Sequence, residues 1–135
     1  MPNDESVRVL SETECRAVLR QSTLGRLATA VGGTVDIVPV NFYSDGQSIL
    51  LRTAPGTKLL ELTINDQVAL ETDSHNETEA WSVVVHGSAS QLELREEIDE
   101  AEHSPLVTWS PTAMDRWVRI VPQRITGRWL RRAAD

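Results

Sequence analysis

The chain has 135 residues, 40% of them apolar, and carries 20 acidic against 13 basic side chains for a formal charge of −7. That is enough material for one domain with its own core, and the wrong sign of charge for a binder of polyanions. No run approaches the roughly 18 uninterrupted apolar residues of a membrane span, and the opening MPNDESV lacks the basic-then-apolar order of a secretory signal, so one cytoplasmic domain over 1–135 is expected, with 1–9 as a flexible segment.

Ser11 followed three residues later by Glu14 is a capping-box pattern, and Cys15, Val18 and Leu19 recur at i, i+3, i+4, which predicts a short amphipathic helix. The lone Cys15 has no partner for an internal disulfide; it reads as a small buried side chain of that helix, or alternatively as a reactive thiol. From Gly25 the period changes. GRLATAV, a Gly32-Gly33 turn and TVDIVPVNFY, with Val35 and Ile37 on one face, predict two antiparallel strands. Asp45-Gly46 signals a hairpin, from which SILLRT returns as a third strand.

A short helix is expected over about 57–65, then QVALETD as a fourth strand, the polar SHNETEA as a loop and WSVVVHGSASQLE as a fifth strand. The acidic segment from Glu93 to about Glu102 predicts a further helix, and WVRIV and ITGRWL read as two closing strands around Pro122. Short hairpin-linked strands with few helices favour a mainly β, Greek-key barrel over a parallel sheet.

Charge is spread unevenly: ELREEIDEAEH is densely acidic, whereas Arg116, Arg119, Arg124, Arg128, Arg131 and Arg132 crowd the last stretch. Either both regions are simply solvated or they meet, within a subunit or across a dimer. GRWLRR interleaves cations with an aromatic, but the net charge opposes nucleic acid. His75 and His103 have no Cys or carboxylate partners at metal-ligand spacing, so no metal site is expected; His86 reads as a structural histidine within a strand, or alternatively as an acid–base group. Trp109, Trp117 and Trp129 read as core or dimer-interface residues.

The stretch LRTAPGTKLLEL gathers Arg52, Thr53, Thr57 and Lys58 around the flexible Gly56 at the end of an apolar strand. Thr57 can cap the following helix, with Lys58 in its first turn. A helix N-terminus already exposes unpaired N–H groups and partial positive charge, so a cation there gains nothing from the helix, and an anion such as a phosphate would reconcile the arrangement. The alternative is that Arg52 and Lys58 pair with Glu61 or Glu71. A Walker A loop is excluded, because its first glycine would fall at Leu51 and Lys58 does not directly follow Gly56. Pro39 inside an otherwise continuous strand removes a ladder donor, which points to an edge or a bulge.

GRLAT, IVPVNF, SDGQSILLRTAPGTKLLEL, QVALETD and EAWSVVVHGSA, in that order, with ITGRWL near the end, resemble the pyridoxamine 5′-phosphate oxidase-like family of FMN-binding split barrels. The resemblance runs from about Leu10 to Leu130. It implies a split β-barrel whose FMN lies at a homodimer interface. Arg52, Thr53 and Lys58, with Thr57, then look like the phosphate clamp. Pro39, Val40 and Asn41 would line the isoalloxazine ring, with the backbone of Val40 and the amide of Asn41 at its polar edge. Trp81 and Ser82 match the family's tryptophan-serine pair, the hydroxyl donating to phosphate or ribityl oxygens.

No nucleophile–base arrangement stands out, as expected where a cofactor carries the redox chemistry. The resemblance therefore implies an oxidoreductase that uses FMN, or alternatively the deazaflavin coenzyme F-420, on a small organic acceptor. The competing reading is a non-catalytic flavin- or haem-binding protein. Pyridoxamine-phosphate oxidation itself is not expected, because the short chain shows no second phosphate site.

Overall fold

The computed structural model describes residues 6–106 and 116–132, and the expected position of Trp109 lies outside them. The Ser11 hydroxyl accepts the Glu14 N–H at 3.1 Å and the Glu14 carboxylate accepts the Ser11 N–H at 3.0 Å, so the capping box forms and opens helix α1 (Glu12–Gln21). Strands β2 (Leu24–Val31) and β3 (Thr34–Ser44) form the first hairpin, turned by Gly32 and Gly33 at positive φ. Asp45-Gly46 then leads into β4 (Ile49–Thr53). Helix α2 (Thr57–Ile64), strands β5 (Gln67–His75) and β6 (Glu79–Gln91), helix α3 (Arg95–Glu102) and strand β7 (Arg116–Arg131) complete this order.

A three-residue strand, β1 (Val7–Val9), precedes them and pairs with Leu130, Trp129 and Arg128 of β7. Part of the segment expected to be flexible is therefore held by backbone hydrogen bonds. All seven strands form one antiparallel sheet in the order β1-β7-β4-β3-β2-β5-β6, and a second pairing of β7 with β6 closes it. This is the mainly β split barrel that the sequence implied.

The closing element departs from expectation. Instead of two strands around Pro122, β7 is continuous and absorbs the proline at a bulge: His86 faces Arg124 and Gly87 faces Pro122, leaving Gln123 unpaired. Likewise the loop expected over 74–80 shrinks to 76–78, because the β5–β6 ladder continues to Ser74↔Trp81 and His75↔Ala80. Those polar residues protrude beyond the core, where a strand does not need alternating apolar side chains.

Period-two alternation sorts the side chains. Leu27, Phe42, Ile49, Leu51, Leu70, Val83, Val85, Val118 and Ile120 fill the barrel with at most 2% exposure, each fully buried side chain contributing about 1.5–3 kcal/mol. Cys15 is fully buried beside Gly127, where a Cβ would stand 2.7 Å from its sulfur, and burial pushes its thiol pKa up. It is a packing residue of the α1–β7 contact. On the outer face Leu50, Leu92 and Trp117 form a second cluster with Ala101 of α3. Arg119 donates to Glu97 at 3.1 Å, so the acidic segment and the arginine-rich strand do meet within one chain. Among the described residues no helix is long and apolar enough to cross a membrane.

Candidate functional site

Strand β3 belongs to two neighbours in turn. Over 34–41 it pairs with β2, from Val31↔Thr34 to Leu24↔Asn41, and it pairs with β4 only at Phe42, Tyr43 and Ser44. Residues 34–41 therefore leave an open strand edge where β3 parts from β4. The Phe42 N–H bonds back to Thr23 O at 3.0 Å, and antiparallel alternation then aims the main-chain groups of 35, 37, 39 and 41 at the open edge. Pro39 sits where its missing N–H costs no ladder bond. It is the edge proline anticipated from the sequence.

Asn41 and Arg52 stand one step beyond the last β3–β4 pair, Phe42↔Leu51, on the outward face of the sheet. Val40 faces the other way and packs against the core, so at this fork it is Asn41 and the Pro39 carbonyl that face outward. Arg52 is half-buried. Its guanidinium lies 4.9 Å from the ring centroid of Trp117, its Nε is buried without a hydrogen-bond partner, and it has no ion pair among the described residues. A buried cationic N–H that no acceptor satisfies is costly, and an anion beside the guanidinium would offset that cost.

Thr53 follows on β4, its hydroxyl donating to Ala54 O at 3.2 Å. Thr57 is the first helical residue of α2 rather than its cap: Gly56, at φ 152°, holds the N-cap and provides no side-chain hydrogen bond. The first N–H groups of α2 thus lack a side-chain acceptor.

Lys58 takes the alternative that the sequence left open. Its ammonium donates to Glu61 at 3.0 Å and to the buried Thr29 hydroxyl at 3.1 Å, while that hydroxyl donates to the same Glu61 oxygen at 2.7 Å. These bonds from Thr29 and Lys58 hold the Glu61 carboxyl below its ordinary pKa. Thr29 was not singled out from the sequence; its signal was a hydroxyl at an inward position of GRLATAV, two residues after Leu27.

Trp81 and Ser82 lie elsewhere. Trp81 lines a cleft of about 290 Å³ with Val18, Ser22, Leu24, Thr72 and Asp73. Ser82 points outward between Asp73 and Arg128. Ser82 lies on β6, which the sheet reaches from the Arg52 strand across β3, β2 and β5 on one side and across β7 on the other. One protomer places Asn41 and Arg52 at the same end of the β3–β4 pairing, with Thr53 and the start of α2 directly after Arg52, whereas Trp81 and Ser82 are carried by β6. Between the two groups Arg26 bridges Glu71 at 2.7 Å and Asp73 at 3.0 Å. His86 is occupied differently, its Nδ1 lying 3.4 Å from Arg124 at the β-bulge.

Residues 11–129 match the family model of pyridoxamine 5′-phosphate oxidase. An uncharacterised protein of Mycobacterium tuberculosis is 41% identical over 86 residues, covering 64% of this chain and 78% of that protein. Among solved structures, the FAD-binding protein of Mycobacterium smegmatis is 40% identical with a TM-score of 0.79, covering 92% of this chain and 98% of its own. A Corynebacterium glutamicum protein provisionally assigned as a pyridoxamine 5′-phosphate oxidase is 37% identical with a TM-score of 0.90, over 99% of this chain and all of its own.

Proposed function

We propose, for a chain that belongs to the pyridoxamine 5′-phosphate oxidase family, that the β3–β4 fork binds a flavin and that the protein is a flavin-dependent oxidoreductase acting on a small organic acceptor. The observation that carries this reading is Arg52: a half-buried guanidinium with a buried, unpartnered Nε and no carboxylate beside it among the described residues. Charge-assisted bonds to a phosphate contribute about 1.5–3 kcal/mol each, and the uncapped start of α2 adds N–H groups of the same polarity.

In this reading Arg52, Thr53 and the backbone at Thr57 bind the cofactor phosphate, while Asn41 and the Pro39 carbonyl orient the polar edge of the ring. Lys58 is a reserve cation, neutralised by Glu61. A bound flavin supplies hydride exchange with the acceptor; the chain supplies position and charge. Trp81 and Ser82 would complete the site from a second copy. The exposed Val35 and Ile37 on the open edge support a homodimer with its cofactor at the interface.

FMN is the first cofactor on this reading. FAD is the second, favoured by the 40% identical FAD-binding protein of M. smegmatis. The test is the visible spectrum of the purified protein followed by mass spectrometry of what heat releases. A flavin spectrum with an FMN or FAD mass supports the reading; a deazaflavin mass moves the same site to F-420. Protein that is colourless and fails to take up FMN, FAD or the deazaflavin overturns it.

A further inference from the structure

We infer that Trp117 is a positioning residue that readies Arg52 for its anion, a role that rests on the phosphate reading above. The two are direct cross-strand partners on β4 and β7, so strand register rather than a mobile loop brings them together. At 4.9 Å the guanidinium is inside the roughly 6 Å reach of a cation–π contact. Trp117 is itself held: it is buried with Leu50, Leu92 and Ala101, and Ile98 of α3 packs against that cluster.

The physical point lies in what the ring leaves unspent. A carboxylate would stabilise the guanidinium by accepting its N–H bonds, as Glu61 does for Lys58. An aromatic face stabilises the cation through the π quadrupole and accepts none of them in the guanidinium plane. The Arg52 side chain makes no hydrogen bond to a described residue, its Nε being buried without a partner. Trp117 thus holds the cation without accepting its N–H bonds, which leaves the terminal amino groups for phosphate oxygens and suits the bidentate recognition at which arginine excels.

The experiment compares FMN with riboflavin, which lacks the phosphate, in fluorescence titrations of the apoprotein and of W117F and W117L. A purely structural role would weaken both ligands alike. The positioning role predicts that W117L loses about tenfold or more of the preference for FMN over riboflavin, the equivalent of one charge-assisted bond, with riboflavin affinity nearly unchanged. W117F, which keeps an aromatic face, should retain most of the preference.

In an R52A background the Trp117 substitutions should change the ratio no further. If W117L is too unstable to purify, W117M carries the same comparison, its flexible side chain filling the space. A wild-type ratio preserved in the non-aromatic variant overturns the inference while leaving the phosphate reading intact. A wild type that binds FMN no better than riboflavin overturns both.

Discussion

Lys58 and Glu61, one turn apart on α2, close a 3.0 Å ion pair at side-chain exposures of only 20% and 15%. The two cations that the sequence placed in one clamp are therefore not equivalent: one is already neutralised, the other has no acid partner among the described residues. Arg52→Ala should weaken FMN binding by about tenfold to a hundredfold. Lys58→Ala combined with Glu61→Gln, which removes both charges of the pair together, should change it by no more than about threefold, since the pair carries no net charge. Flavin fluorescence titrations, with melting temperatures as the fold control, decide this; equal losses in the two variants would restore the symmetric clamp.

The same pair gives the protein a readable acid response. Glu61 is held below the ordinary carboxylate pKa of 4.5 by its hydrogen bonds from Thr29 and Lys58, so folding favours its ionised form. That contribution is fully present above pH 4.5 and is lost as the pH falls through the lower folded-state value. Glu61→Gln should therefore show a lower melting temperature near neutrality and a smaller further drop below pH 4.5 than the wild type. Thermal melts across pH 3–7 test this, and parallel curves would contradict it.

Much of this was legible locally. The capping box, the Asp45-Gly46 hairpin and the edge proline are short-range patterns, and the structure realises each of them. What escaped depends on distant partners. Strand β7 looked broken because Pro122 is tolerated only by virtue of the bulge opposite Gly87, a property of the pairing and not of the proline. β1 is three exposed residues with no periodicity of its own. The Lys58–Glu61 pair could be read from i, i+3 spacing, whereas the freedom of Arg52 follows from its register with Trp117, which no local pattern encodes.

Close approach of strands sets a further constraint at Gly25. A Cβ there would stand 2.6 Å from the Glu71 carbonyl oxygen and 3.1 Å from Phe42 Cε1, and the oxygen, being backbone, cannot rotate away. Gly25→Ala should cost about 1–3 kcal/mol through overpacking, seen as a lower urea midpoint with an unchanged slope. Wild-type stability in that variant would mean that β2 and β5 can separate without loss.

The open edge of β3 predicts the assembly. Val35 and Ile37 are 63% and 65% exposed on the segment that has no neighbour on its β4 side, and an uncovered apolar edge strand is a surface that proteins ordinarily blunt or pair. A second copy would cover it and carry Trp81 and Ser82 toward the partner's Arg52. The wild type should therefore sediment as a dimer, and Ile37→Asp, which places a charge on that edge, as a monomer. Because the two halves of the site then separate, the monomer should also lose flavin, although Arg52 and Trp117 are untouched. A monomeric I37D that binds FMN as tightly as the wild type would show that one chain holds the complete site.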